Sequence, residues 1–259
     1  MKIAFFDSGM GGLSVLHHAM KVLPREEFIF FADEDNVPYG TKSREEVLHF
    51  VDTAFKFLAA QGVGAIVVAC NTATSVAVKF MREKYSLPII GMEPALKLAL
   101  DTFPARKVLV AATAITITGE KIRRLIEKLH AQEFAELKAL PQLVELAERQ
   151  EFTSAAEKYL RGELSAYDWG NFSSVVLGCT HFNYFKDTLR KILPPHVKIL
   201  DGNAGTVNEL IRRAKLQAAQ SKEIPRVEYF YSCRQVTDAA ELSRLEKFLR
   251  RLDDMEAIT

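Results

Sequence analysis

The sequence predicts an α/β protein with two pseudo-symmetric, doubly wound lobes built on mostly parallel sheets. Short apolar runs alternate with longer segments whose apolar residues return every three to four positions, which is typical of successive βαβ units. The apolar runs are continuous, as expected for strands covered by helices on both faces of a sheet. Two runs also end alike, "VVACNT" at 67–72 and "VVLGCTH" at 175–181, and this indicates two similar lobes.

The predicted strands follow from these runs in chain order. They lie at 2–6, 28–33, 65–70, 87–92, 107–113, 173–179, 197–202 and 226–232. Helical patterns separate them, such as "SREEVLHFVDTAFKFLAAQG", whose end is marked by Gly62. We predict a first lobe from 1–92 with 210–259, around Asp7 and Cys70, and a second lobe from 93–209, around Thr113 and Cys179.

Length and charge limit the classes of protein and partner. A chain of 259 residues can bury a full core and is of the size at which two lobes become common. Its 34 basic and 33 acidic residues form no long block of like charge, so we expect a small-molecule partner, with no nucleic acid and no membrane. The first apolar run, in "MKIAFFDSG", is too short for a signal peptide or a membrane span, and we expect a cytoplasmic protein.

The three cysteines are widely spaced and odd in number, which favours free thiols over a disulfide framework. No pair has the close spacing of a structural zinc site, so we expect no metal. Cys233, in "YFYSCRQ", is interpreted as a small buried apolar residue.

Residues able to do chemistry lie at the carboxyl ends of four of the predicted strands. They are Asp7-Ser8-Gly9, Cys70-Asn71-Thr72, Thr113 and Cys179-Thr180-His181. In parallel sheets ligands bind beyond the carboxyl ends of the strands, so these side chains are candidates for one site. A cysteine at a strand end that opens a helix lies near the positive end of the helix dipole, which lowers the pKa of a thiol. Two such cysteines in matching places suggest a symmetric task, although a purely structural pair remains an alternative.

Two loops and one histidine could complete such a site. The glycines at 9, 11 and 12 would let backbone N–H groups approach an anionic ligand. The stretch is not a dinucleotide fingerprint and no Walker lysine follows, and a plain turn is the alternative. "VPYGTK" at 37–42 is a turn that could form a hydrogen-bonding wall. His181 could orient or relay a proton, or be a satisfied loop histidine.

At these motifs the chain resembles the glutamate racemases of the cofactor-independent aspartate/glutamate racemase superfamily. The resemblance covers essentially the whole chain, through "FDSGMGGLSVL", "VPYGTK", "ACNTATS", "GMEPALK", "ATAIT" and "LGCTHF". Aspartate racemases tend to carry Glu after Cys-Thr, whereas this chain has His181, which favours glutamate. The resemblance implies two lobes with an active site in the cleft between them, no cofactor, a homodimer, and D-glutamate made for peptidoglycan synthesis.

The resemblance also implies roles for residues. Cys70 would take the α-proton from D-glutamate with help from Asp7, and Cys179 from L-glutamate with help from His181 and Glu148. The residues that would hold the amino acid are Asp7, Ser8, Tyr39, Gly40, Asn71, Thr72, Thr113, Thr116, Thr180 and His181.

Some positions depart from the family pattern. Glu148 is matched across one departure, because this chain has Leu140 and "VELAE" where a cysteine and a Pro-x-Val-Glu run are common. The chain starts directly with its first strand, so we do not expect control by a cell-wall precursor. An aspartate racemase-like enzyme and a non-catalytic two-lobed amino-acid-binding protein are the alternatives, since fold does not fix function.

Overall fold

The computed structural model describes residues 1–219 and 224–258. Its strands are β1 (Lys2–Asp7), β2 (Glu27–Ala32), β3 (Ala65–Val68), β4 (Ile89–Gly91), β5 (Lys107–Ala112), β6 (Ala135–Ala139), β7 (Phe172–Gly178), β8 (Lys198–Asp201), β9 (Val227–Tyr231) and β10 (Arg234–Gln235). Its helices are α1 (Leu13–Val22), α2 (Arg44–Ala60), α3 (Asn71–Lys84), α4 (Leu96–Thr102), α5 (Ala114–Thr118), α6 (Glu120–Lys128), α7 (Gln142–Glu148), α8 (Ser154–Leu164), α9 (Lys186–Ile192), α10 (Asn203–Ala214) and α11 (Ala239–Met255). Short 3-10 segments lie at Met10–Gly12, Tyr39–Thr41, Trp169–Asn171 and Thr180–Phe185.

The described strands form two sheets. One has the order β10-β9-β2-β1-β3-β4 and the other β6-β5-β7-β8. Their pairings are parallel except for β9 with β10, which is antiparallel. The predicted α/β class with mostly parallel sheets is confirmed. The division into two lobes stays a prediction, and its boundary at 209 to 210 falls within α10.

Each strand predicted from an apolar run is present, and two further strands were not predicted. The strand β6 has the sequence "AELKA" and is partly exposed at every position, so it lacks the continuous apolar run that marks the others. The strand β10 has two residues, both exposed. Both lie at sheet edges, where burial on two faces does not constrain the sequence.

The register of the strands brings the candidate residues to one edge of each sheet. Phe6 of β1 is the register partner of Val68 of β3, so Asp7, which ends β1, and Cys70, just beyond β3, lie at the ends of neighbouring strands. In the second sheet Ala112 is the partner of Gly178, and the next residues are Thr113 and Cys179.

The two sheets share an apolar core. Its main cluster contains residues of both, including Phe5 of β1 and Leu177 of β7. The helix α11 covers this core with a stripe formed by Leu245, Phe248 and Leu252, whose spacing of three and four residues places them on one helix face. In the described residues no helix combines the length and hydropathy that a membrane span requires.

Candidate active site

The strand ends of both sheets converge on one small cavity. Its walls are formed by Ser8, Pro38, Tyr39, Gly40, Cys70, Asn71, Thr72, Thr113, Val144, Cys179, Thr180 and His181. Cys70 and Cys179 are each 6% exposed. The cavity measures about 20 Å³, far below the ~300 Å³ of the smallest usual ligand pockets, so an amino acid could bind only after the walls separate.

Cys70 occupies the N-cap position of α3, as its place at a strand end predicted. The N–H of Ala73 donates to its Sγ at 3.4 Å, and the thiol lies 3.7 Å from the Ser8 hydroxyl oxygen. Even so, burial raises the pKa of the Cys70 thiol, and the Asp7 carboxylate adds to the rise. The expectation of a lowered pKa is therefore wrong for Cys70 in this closed cavity. Loss of solvation raises the pKa of the thiol by more than the N-terminus of α3 lowers it.

Asp7 is completely buried behind the cavity wall, next to Ser8. Its Oδ1 accepts hydrogen bonds from the Ser8 hydroxyl and the Gly9 N–H, both at 3.2 Å. Its Oδ2 accepts from the Thr180 hydroxyl at 2.9 Å. Burial raises the pKa of Asp7, and His181 with these hydrogen bonds offsets only part of the rise. Asp7 therefore links the Cys70 side of the cavity to the strand end that carries Cys179.

Cys179 begins a chain of polar contacts that leads away from the cavity. Its Sγ lies 3.8 Å from Nδ1 of His181, whose Nε2 lies 2.5 Å from Oε1 of Glu148. Burial alone would lower the pKa of His181, but Cys179 and Glu148 outweigh it and raise the pKa well above its ordinary value. The contact with the Glu148 carboxylate favours the tautomer with the proton on Nε2, so Nδ1 faces the thiol and can accept its proton.

Glu148 is the last residue of α7, where a helix dipole disfavours a carboxylate. Oε1 also accepts the N–H of Met10 at 2.8 Å, and Oε2 lies 3.4 Å from a guanidinium nitrogen of Arg244. Burial acts to raise the pKa of Glu148, yet the contacts with His181, Met10 and Arg244 lower it overall. The structure thus places Glu148 beside His181 despite the departure in the surrounding motif.

The glycines after β1 serve a different purpose from the one predicted. A Cβ on Gly9 would lie 2.1 Å from Oε1 of Glu148, and one on Gly11 would lie 2.5 Å from Nδ1 of His181. The loop is glycine-rich because these two side chains pack directly against its backbone. Two of its N–H groups do meet anions, but these belong to the protein itself: Met10 donates to Glu148 and Gly9 donates to Asp7.

Hydroxyl groups join the two sheets on the other side of the cavity. The Thr113 hydroxyl lies 2.9 Å from that of Thr72 and 3.0 Å from that of Thr116. Thr116 therefore stands behind Thr113, outside the cavity walls. Gly40 packs against Thr113, which a Cβ at position 40 would approach to 3.1 Å.

Two polar side chains in the wall differ in how they are held. Burial raises the pKa of Tyr39, so its hydroxyl stays protonated and donates to Oδ2 of Asp33 at 2.6 Å. Both amide atoms of Asn71 are buried without a hydrogen-bond partner among the described residues. An unpartnered buried amide in a cavity wall is suited to a polar ligand.

Sequence reasoning missed several residues of this region. Pro38 and Val144 line the cavity, Asp33 holds Tyr39, and Glu34 and Arg244 extend the contacts of Glu148. The acidic pair after β2 could have been noticed, since it lies at a carboxyl strand end. Arg244 carries no such signal, because it lies about a hundred residues from Glu148 on a helix rich in charge.

Cys233 lies elsewhere and is exposed, so the expectation of a buried residue is wrong. It occupies the turn between β9 and β10 with φ 69°, a conformation typical of tight turns at a surface. Within the described residues no three His, Cys, Asp or Glu side chains form a group that could hold a metal ion.

Comparison with known proteins decides the family. The Asp/Glu/Hydantoin racemase family model matches residues 14–210. The chain belongs to this family. A glutamate racemase from Campylobacter concisus is 51% identical to this racemase over 261 residues, covering 100% of both chains. Glutamate racemase 2 of Bacillus subtilis is 40% identical over 99% of this chain and 98% of its own.

Solved structures agree with the assignment. Glutamate racemase from Thermus thermophilus, in complex with beta-chloro-D-alanine, superposes on this racemase with a TM-score of 0.76 at 31% identity, covering 96% of this chain and 92% of its own. An allantoin racemase from Klebsiella pneumoniae shares the fold alone, with a TM-score of 0.54 at 18% identity and coverage of 87% and 93%. The resemblance carried by "ACNTA" and "GCTHF" is confirmed.

Proposed function

We propose that this racemase interconverts L- and D-glutamate without a cofactor, through two cysteine thiols on opposite faces of the substrate's α-carbon. The observation that carries the proposal is that Cys70 and Cys179 line one cavity from strand ends of different sheets. Inverting a stereocentre by proton transfer requires a base on one face and an acid on the other. Relatives named glutamate racemases, at 40–51% identity over nearly the whole chain, support glutamate as the substrate.

The reaction moves one proton at each thiol. From L-glutamate, the Cys179 thiolate takes the α-proton and leaves a carbanion, and the Cys70 thiol then delivers its own proton to the opposite face. The product is D-glutamate with Cys179 as thiol and Cys70 as thiolate. The reverse reaction begins with Cys70. Each direction thus leaves the protein in the protonation state that the other direction needs.

The surrounding residues assist each thiol differently. Asp7 and Ser8 assist Cys70, whose thiol lies beside the Ser8 hydroxyl. His181 accepts and returns the proton of Cys179, and Glu148 keeps His181 oriented. A bound α-ammonium group would favour the thiolate of Cys70 by charge attraction and so oppose the effect of burial.

The rest of the cavity wall holds the amino acid. Ser8, Tyr39, Gly40, Asn71, Thr72, Thr113, Thr180 and His181 supply the hydrogen-bonding groups, while Thr116 orients Thr113 from behind. The unpartnered amide of Asn71 is suited to a substrate carboxylate and ammonium. Hydrogen-bond donors held in a closed, dry cavity would stabilise the charge that develops on the carboxylate next to the carbanion.

The cellular setting follows from the same proposal. The two sheets form the cores of two lobes, 1–92 with 210–259 and 93–209, which separate to admit glutamate. The racemase acts in the cytoplasm as a homodimer, without a nucleic-acid or membrane partner. Its D-glutamate supplies peptidoglycan synthesis.

The test is circular dichroism of amino-acid solutions incubated with purified, metal-free protein. The signal of L-glutamate and the opposite signal of D-glutamate are both expected to decay to zero. A flat trace with glutamate and decay with aspartate would assign the other substrate of the superfamily. Flat traces with both would contradict racemisation of either.

A further inference from the structure

Arg244 of α11 stands at the end of the polar chain that begins at Cys179. Its guanidinium nitrogens lie 3.4 Å from Glu148, 3.4 Å from Glu34 and 3.5 Å from Glu241. The guanidinium also lies over the ring of Phe248, 5.7 Å from its centroid. Arg244 is therefore fixed by three carboxylates and an aromatic face, and one of those carboxylates is the partner of His181.

We propose that Arg244 is a positioning residue for the Cys179 side of racemisation, acting through Glu148 and His181. This inference rests on the proposed function. Arg244 holds Oε2 of Glu148, which leaves Oε1 directed at Nε2 of His181. His181 in turn presents Nδ1 to the thiol of Cys179. The guanidinium thus sets the orientation of the imidazole without touching the cavity.

The Cys70 side is built differently. Its carboxylate, Asp7, is held by Ser8, Gly9 and Thr180, which are neutral donors. Among the described residues, no hydrogen bond joins Asp7 to a lysine or arginine. A change at Arg244 is therefore expected to affect proton transfer at Cys179 more than at Cys70.

Charge balance explains why an arginine is needed at this position. Glu148 ends a helix, is only 14% exposed, and shares the charge of Arg244 with Glu34, Glu241 and the hydroxyl of Tyr231. Burial and the neighbouring Glu148 raise the pKa of Glu34 to about 7, which Arg244 only partly opposes. The single guanidinium of Arg244 therefore pairs with three carboxyl groups. Its loss would leave Glu148 without its cationic partner on α11.

Kinetic isotope effects can locate the change. The two proton transfers pass through two transition states in series, one at each thiol. If Arg244→Gln raises the barrier at Cys179, that step becomes rate-limiting in both directions. The α-deuterium isotope effect on kcat/KM then rises for L-[2-²H]glutamate, which loses its proton to Cys179. It falls for D-[2-²H]glutamate, because the transfer to Cys70 becomes a reversible step before the rate-limiting one.

The values of kcat/KM alone cannot reveal this asymmetry. The equilibrium constant between enantiomers is one, so kcat/KM must fall by the same factor in both directions, and we expect about tenfold. Arg244→Lys is expected to restore part of the activity and to shift both isotope effects less. Arg250→Gln is the matched control, because Arg250 lies on the same helix, is exposed and pairs with Glu246.

The inference would be overturned if the isotope effects of Arg244→Gln stayed at wild-type values. It would also be overturned if they moved in the same direction for both enantiomers. If circular dichroism shows that Arg244→Gln does not fold, the same comparison is made with Arg244→Lys, and unchanged isotope effects there would overturn it equally. Wild-type protein that fails to racemise glutamate would contradict the proposed function itself. The two failures are therefore distinguishable.

Discussion

Thr180 donates a hydrogen bond to Asp7 at 2.9 Å, and this contact joins the strand end of one sheet to that of the other. Thr180 follows Cys179 directly, whereas Asp7 lies on the side of Cys70. The two halves of the proposed reaction are therefore physically linked. Asp7 is fully buried, and this hydrogen bond is one of the few interactions that stabilise its ionised form.

Removing that hydrogen bond tests its importance. Thr180→Val is expected to raise the pKa of Asp7 further and to lower kcat/KM about tenfold, within the roughly 1–3 kcal/mol that an unsatisfied buried partner costs. Steady-state kinetics with both enantiomers provide the measurement. Thr53→Val is the control, since Thr53 is an exposed helical threonine whose hydroxyl donates to the His49 carbonyl of its own helix. Equal activity in both variants would show that the Thr180 contact is dispensable.

The two thiols should each be essential. Cys70→Ser and Cys179→Ser are expected to lower racemisation by several orders of magnitude, about 10³-fold or more, because a serine hydroxyl is a far weaker acid than a thiol. Binding of glutamate, measured by calorimetry, should persist. Cys233→Ser should keep full activity, since Cys233 is exposed in a turn away from the cavity. Turnover near the wild-type rate in either active-site variant would disprove the two-thiol scheme.

Glu148 should control the alkaline limit of activity. Cys179 and Glu148 raise the pKa of His181, so the imidazolium persists to higher pH than an ordinary histidine. Glu148→Gln removes a negative charge and lowers that pKa, and the fall of kcat/KM with rising pH should begin at lower pH. The pH profile of kcat/KM provides the test. Glu145→Gln, on the same helix but exposed, should leave the profile unchanged. A profile of Glu148→Gln identical to that of the wild type would argue against the contact with His181.

Glu34 should make the protein less stable as pH rises. Its pKa is raised from 4.5 to about 7 in the folded state. The folded state thus holds a proton that the unfolded state has lost, so stability falls between pH 4.5 and 7. Glu34→Gln removes this dependence and should stabilise the protein by roughly 2 kcal/mol more at pH 8 than at pH 5.

Urea denaturation at the two pH values measures this difference. Glu246→Gln is the control, because Glu246 is exposed on α11 and pairs with exposed Arg250. The same change in unfolding free energy for Glu34→Gln at both pH values would show that Glu34 does not hold a proton in the folded state.

The sequence predicted the principal elements of the fold and the main features of the site for physical reasons. Buried parallel strands require continuous apolar runs, so β1, β3, β5 and β7 could be located, and their polar ends indicated the site edge. The half-exposed β6 carries no such run and was missed. The thiol of Cys70 was expected to be acidic from local position alone, whereas its burial, and hence its raised pKa, depends on how the second sheet closes over it.

Contacts between distant residues were the least accessible to sequence reasoning. Asp7 and Thr180 are 173 positions apart, and Glu148 and Arg244 are 96 positions apart. Neither pairing has a local pattern, because each depends on the packing of separate elements around the shared core. The role of the glycines at 9 and 11 was hidden for the same reason, since only the folded chain shows which side chains press against them.

The most direct test of the two-thiol proposal is racemisation of L-glutamate in D₂O, followed at low conversion by NMR and chiral separation. With one thiol on each face, every D-glutamate formed should carry deuterium at the α-carbon. Its new hydrogen comes from the Cys70 thiol, which has exchanged its proton for deuterium from the solvent. The remaining L-glutamate should carry almost none. Equal early deuteration of recovered L-glutamate and newly formed D-glutamate would contradict the account, since it would indicate a single base serving both faces.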